Sequence, residues 1–470
     1  MFDVLHGYAR RYAPVLPVVL VVALLALPAP SGAGGDSGGG TAADAASGLL
    51  VVCCALGLLR RARRPLTRTA AAVLALPVAG IAVAATGAVD AASGLAGLGR
   101  YLQIFVLVPA AVLLLIRDRA DLRLVAWAFT ALALWQGGVG VHQYVTGTGA
   151  SYMGSDIRAV GTFGAADVMG MSTVVAYGLV CAVGLALGPR DPATRTRRLV
   201  ALGCALLLLV PLALSFSRGA WIATAVACGA QLLLAGVRRA VGVLAAVGAV
   251  VVVLVGGVGV GTAQLQDRLD SITQVTAQPD QSVVDRYTMW SAAVDMWREH
   301  PVTGVGLKNF PEYRDSHASL ALSSGSDTGG AGAAFRRQPL LSPHNMYLLV
   351  LSEQGLIGFT ALVGCWAALL VCGLRRLADA RRWVGQGGDR GSDWDGDRGG
   401  DRGADCGLLA CGLLIWQLVD FAYADIGGPS TVLTAVVLGV VAWWALADRA
   451  PATVRRGAPT GSPTGKVAAR

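Results

Sequence analysis

The chain has 470 residues, 54% of them hydrophobic and 14% charged, with a mean hydropathy of +0.59. Soluble domains carry about 25% charged residues, so this composition excludes a single water-soluble core and implies a polytopic membrane protein. The formal net charge of +9 does not imply nucleic acid, because the basic residues form short clusters between apolar runs, the pattern of the positive-inside rule.

A membrane-crossing helix needs about 20 apolar residues. Windows of that size predict twelve spans, near 12–29, 46–60, 69–89, 98–116, 122–141, 166–188, 198–215, 219–236, 240–262, 343–373, 406–424 and 428–447. The second window is short, and the tenth is long enough to tilt or to extend beyond the bilayer. The first run lacks a clear small-residue cleavage site, so it is read as a retained helix and not a signal peptide. With the N-terminus in the cytoplasm, the arginine clusters and the basic tail all fall inside. Of the 38 Lys and Arg, the short outer segments keep only Arg100, Arg158 and Arg218.

The expected fold is therefore all-α. Nine spans occupy 1–262, and one large extracytoplasmic loop occupies 263–342. Three spans follow over 343–447, with a cytoplasmic linker at 385–405, and a basic tail ends the chain at 448–470. Residues 31–48, rich in Gly, Ala, Ser and Asp, and the linker GQGGDRGSDWDGDRGGDRGAD read as disordered. GSPTGKV in the tail lacks P-loop spacing, and GGVGVG at 256–261 has no preceding strand. The nine cysteines lie in or beside apolar runs, away from the long loop, and none has zinc-ligand spacing.

Three polar positions converge on the outer side by span counting. Arg218 lies in the short turn LSFSRGAW, Arg286 opens an amphipathic stretch of the long loop, and His344 stands where the chain returns to the membrane. A guanidinium at this depth either snorkels to the interface or grips phosphate oxygens with its fork. Residues 284–299 read as a helix on which Arg286, Trp290, Val294 and Trp297 share a face. Its tryptophans suit the membrane surface, and Pro301, Gly304 and Gly306 end it. Ser342 and Pro343 suit the cap and first position of the tenth span, which places His344 in the first helical turn. There the helix dipole favours a neutral imidazole, suited to a general base or to a hydrogen-bond acceptor. Asn345 either orients a substrate hydroxyl or caps the helix. Glu353, two turns further in, has either a structural pair or a role. Asp167, Gln417, Asp420 and Asp425 are taken as cavity-lining polar residues. No carboxylate pair near the outer motifs requires a metal.

The segments R-x-x-x-W from Arg286, H-P-x-x-G-V-G-x-x-N-F from His300, and H-N-x-x-L-x-x-x-x-E-x-G-L-I-G from His344 resemble the O-antigen ligase/polymerase superfamily. These are bacterial membrane glycosyltransferases that use lipid-linked glycans. The resemblance implies a helical GT-C-like fold in the bacterial cytoplasmic membrane, with both termini cytoplasmic and the site facing outward. It implies an inverting, metal-independent transfer, without cofactor, from a polyprenyl-diphosphate-linked glycan to a glycan, lipid or protein acceptor. Arg218 and Arg286 would bind the diphosphate and His344 would activate the acceptor. Asn345, Trp290, Lys308 and Glu353 join them as substrate-binding candidates. The stretch HASLALSSGSDTGGAGAA at 317–334 departs from the pattern and reads as a flexible insertion. A twelve-helix secondary transporter or a lipid-glycan flippase is the competing reading. Related halves with broken helices would favour the transporter, and the long loop has no counterpart in the first half.

Overall fold

The computed structural model describes residues 11–28, 41–59, 66–152, 155–167, 169–188, 194–243, 245, 281–322, 326–329, 336–338, 340–386 and 403–447. The helices in chain order are α1 (Leu16–Leu24), α2 (Ala42–Leu59), α3 (Arg68–Ala85), α4 (Ala91–Leu102), α5 (Val108–Leu115), α6 (Arg119–Thr146), α7 (Gly170–Ala186), α8 (Arg195–Leu214) and α9 (Arg218–Ala235). After them come α10 (Gln281–Glu299), α11 (Phe310–His317), α12 (Met346–Gln386), α13 (Ala404–Asp420) and α14 (Thr431–Leu446). A π-helical turn, Gln103–Leu107, joins α4 to α5. Among the described residues, 7 helices are long and apolar enough to cross a membrane. The ninth predicted window, 240–262, lies mostly outside the described residues, as do 31–40, GGVGVG and the tail.

The helices sort by burial. α7, α13 and α14 are buried on nearly every face and form the centre of the bundle. By contrast α8 exposes Leu199, Leu202, Leu206 and Leu209. In water so continuous an apolar stripe is unfavourable, whereas in a bilayer it faces acyl chains.

Several details differ from the sequence reading. Residues 42–48 are helical, because Thr41 and Asp44 cap α2 reciprocally: the Asp44 amide donates to Thr41 Oγ1 at 3.1 Å and the Thr41 amide to Asp44 Oδ2 at 3.0 Å. The linker region is likewise helical at both ends, since α12 runs to Gln386 and α13 starts at Ala404. The chain is predominantly helical but not wholly so. A small antiparallel sheet of order β2-β1-β3-β4 joins the α6–α7 connection (β1 Ala150–Tyr152, β2 Ser155–Arg158) to the long loop (β3 Ser326–Gly329, β4 Arg336–Gln338). The insertion at 317–334 therefore contributes a strand, with Ser151 opposite Gly329.

The middle of the long loop is anchored on the membrane helices. α12 is broken at Gly355, which has φ 60° and ψ −162°. The His300–Phe310 segment fills the break. Val305 and Gly306 amides donate to the Ser352 and Glu353 carbonyls at 2.9 and 3.0 Å, and Leu356 and Ile357 amides donate to Pro301 and Val302 at 2.9 and 3.2 Å. Irregular backbone at such a position is tolerated only when protein satisfies its polar groups. The same loop rests on the α3–α4 turn, where Asn309 Nδ2 donates to Gly87 at 2.9 Å and Asn309 Oδ1 accepts from Val89 at 3.1 Å.

Candidate active site

His344 is not in the first turn of a helix. α12 starts at Met346, and Asn345 is its cap: Asn345 Oδ1 accepts from the Leu348 amide at 3.1 Å, and its carbonyl accepts from Leu349 at 2.9 Å. Ser342 and Pro343 therefore precede the helix. His344 adopts a left-handed backbone with φ 48°, a conformation that costs energy for a residue with a Cβ and persists only when neighbours enforce it. Contacts on two sides supply that enforcement. The Met346 amide donates to the Phe421 and Ala424 carbonyls at 2.8 and 3.0 Å, and Asn345 Nδ2 donates to Ala422 at 3.1 Å. On the other side, Trp290 Nε1 donates to the Pro343 carbonyl at 2.8 Å. His344 is thus held between the loop helix α10 and the α13–α14 turn.

The sequence placed the tryptophan face of α10 on the membrane surface. Trp290 also serves as a hydrogen-bonded brace on the histidine segment, with Tyr287 edge-on to it at 5.5 Å. α10 packs against α12, and it buries Met289, Ala292, Ala293 and Met296. Arg286 lies one turn before Trp290 and is partly buried.

The His344 side chain is 45% exposed, and its Nδ1 stands 4.0 Å from Asp425 Oδ2. That oxygen is buried and has no hydrogen-bond partner among the described residues. Glu353 Oε2 shares this condition, and Tyr101 Oη and Gln354 Nε2, which interact with each other, lie buried in the same interior. Asp425 acts electrostatically on both Tyr101 and Glu353. Buried polar groups are nearly always satisfied, so this group marks a polar interior beneath the histidine. Among the described residues, no three His, Cys, Asp or Glu side chains are grouped as metal ligands.

Arg218 opens α9 and is exposed. Ser217 caps the helix by accepting from the Ala220 amide at 3.3 Å, after a tight turn in which Phe216 has φ 50°. A Cβ added at Gly219 would lie 3.2 Å from Tyr423 Cβ. The α8–α9 turn therefore abuts the 421–425 turn that also holds His344. Lys308 and Glu353 form a second group at the Gly355 break. Glu353 is 2% exposed, and its Oε1 accepts from the Phe310 amide at the start of α11 at 3.2 Å. Lys308 is exposed, has φ 63° and packs its stem on Gly97.

Asp425 is the residue whose placement beside His344 the sequence did not single out. Its signal was weak: one acidic residue in a turn, indistinguishable by pattern from Asp167, whose Oδ2 accepts from the Ser430 amide at 3.0 Å and ties down that same turn. Further out, His317 ends α11, with Nδ1 2.7 Å from the Tyr313 carbonyl and Nε2 3.1 Å from Glu299. Partial burial pulls the His317 pKa down, but the Tyr313 carbonyl and the Glu299 carboxylate outweigh it, and the net shift is upward from 6.5.

Residues 203–363 match the family described as O-antigen ligase. The match includes Arg218, Arg286, Trp290, Lys308, His344, Asn345 and Glu353, and it supports the O-antigen ligase/polymerase superfamily. No curated protein sequence matches the chain.

Proposed function

We propose that this membrane protein, with its O-antigen ligase match over residues 203–363, is an inverting glycosyltransferase of the bacterial cytoplasmic membrane. In this reading it has about twelve spans in a GT-C-like arrangement, cytoplasmic termini and an outward-facing site. The donor is a glycan on a polyprenyl diphosphate, and the acceptor is a hydroxyl or amine of a glycan, lipid or protein. The observation that carries the reading is His344, half-exposed in an enforced left-handed conformation with Nδ1 facing the buried Asp425 oxygen.

Asp425 is suited to holding the proton on Nδ1, which leaves Nε2 as the basic nitrogen. The 4.0 Å separation needs to close by about 1 Å to become a hydrogen bond, and such contacts commonly tighten when substrate binds. His344 Nε2 takes the acceptor proton as the acceptor oxygen or nitrogen attacks the anomeric carbon. The bond from that carbon to the diphosphate oxygen breaks, and the diphosphate leaves as an anion. Arg218 and Arg286 neutralise the charge that develops on it, which is the main demand of a reaction whose leaving group is already good. No metal is needed for that step when two guanidinium groups supply the positive charge.

The test is mass spectrometry of lipid-linked glycans in cells that carry His344→Ala beside wild type. Accumulated long glycans on the lipid identify a ligase with a blocked acceptor step. Accumulated single repeat units identify a polymerase. An unchanged lipid-linked pool with stably inserted variant protein overturns the transferase reading.

A further inference from the structure

The end of the bundle opposite His344 contains a cavity of about 310 Å³. Its wall includes Tyr12, Arg123, Trp127, Arg197, Arg198 and Asp405. Three helices begin around it: α6 at Arg119, α8 at Arg195 and α13 at Ala404. Asp118 and Asp121 stand at the start of α6 and Asp405 in the first turn of α13, whereas α8 has no acidic residue in its first turn. The start of α8 therefore brings the positive end of a helix dipole to the cavity with no acidic residue in its own first turn.

The charges add to this field. Arg123 grips Asp405 with its fork, at 2.6 Å from Nε and 3.2 Å from Nη2, so the carboxylate that lines the cavity among the described residues is already engaged. Arg198 is oriented by donating Nε–H to the Ala186 carbonyl at 3.1 Å, and Arg197 is exposed at the rim. Such a cavity selects a phosphate group, which soluble phosphate and a lipid headgroup both offer. Its position favours the lipid. The exposed leucines Leu199, Leu202 and Leu206 run along α8 from just beyond Arg198, offering a path for acyl chains. Trp127 and Tyr12 have the amphipathic rings that sit at headgroup depth.

We propose that this cavity binds the phosphate headgroup of an anionic phospholipid, with the acyl chains along the leucine stripe of α8. The site is separate from the transfer site and goes beyond the reaction proposed above.

The test is native mass spectrometry of the purified full-length protein titrated with phosphatidylglycerol, phosphatidylcholine or inorganic phosphate. Wild type is expected to retain phosphatidylglycerol in preference to phosphatidylcholine. Arg197→Ala is expected to weaken that binding about fivefold, the effect of one interfacial basic residue, and Arg197→Lys to weaken it less. Arg197 is exposed, and an unchanged thermal midpoint verifies that each variant is folded. Equal retention of both lipids, or phosphatidylglycerol binding unaffected by Arg197→Ala, overturns the proposal. Inorganic phosphate binding with the same Arg197 dependence, in the absence of phosphatidylglycerol binding, overturns the lipid assignment. His344→Ala is expected to leave lipid binding unchanged, so failure here is distinct from failure of the transferase reading.

Discussion

Replacing Gly355 by alanine probes how the outer loop is held against the membrane helices. At φ 60° and ψ −162°, a side chain is strained by about 1–3 kcal/mol. The new Cβ would stand 2.4 Å from both the carbon and the oxygen of the Val302 carbonyl and 2.6 Å from the Gly304 nitrogen. These are backbone atoms, so relief requires moving the loop, and overpacking of this kind costs about 1–3 kcal/mol more. The four hydrogen bonds across the break shift with it, so Gly355→Ala should destabilise the protein by about 2–6 kcal/mol in all. The same helix supplies a control. At Gly364 an added Cβ meets nothing within 4 Å, and Gly364→Ala should be neutral or stabilising by up to about 1 kcal/mol. Heating detergent-purified protein with a thiol-reactive dye follows exposure of the buried Cys365 and Cys411. The Gly355→Ala midpoint should fall by at least about 3 °C, while that of Gly364→Ala stays level or rises. Equal midpoints for the two variants would refute the argument that the loop is keyed into the break.

Other expectations concern the site and its supports. Arg286→Ala should abolish transfer, with stable membrane insertion, in an assay with a lipid-linked glycan donor. Asp425→Asn should lower kcat by about 10–100-fold with little change in KM, if the carboxylate acts through His344 and not on substrate binding; an unchanged kcat removes it from the mechanism. The His317 contact contributes stability below pH 6.5 and loses it as pH rises through the raised folded value, so proteolysis of the outer loop should accelerate over that interval, and Glu299→Gln should flatten the dependence. Asp405 is 4% exposed and paired with Arg123. Deleting 385–405 would remove it, and Asp405→Asn alone should cost about 1–3 kcal/mol. Deleting only 387–402, a stretch too poor in apolar residues to add to a core, should leave both the thermal midpoint and transfer unchanged.

The sequence by itself determined that this is a mostly helical, polytopic membrane protein and located the motifs that carry the candidate site. Apolar windows locate helices wherever burial in lipid demands about 20 apolar residues, and the motifs around Arg286, His300 and His344 are contiguous, so both are legible in one dimension. The sequence could not tell that His344 precedes its helix, since Ser342 and Asn345 are both good caps. The choice falls to Asn345 because the Phe421 and Ala424 carbonyls accept from the Met346 amide. Nor could it separate Asp425 from Asp167 and Asp420, because an acidic residue acquires its role from what faces it across the bundle. The glycines of the motifs show the same division. Their spacing is plain in the sequence, but only the tertiary structure places Gly304 and Gly306 against Glu353 and Gly87, where backbones meet closely and a side chain has no room.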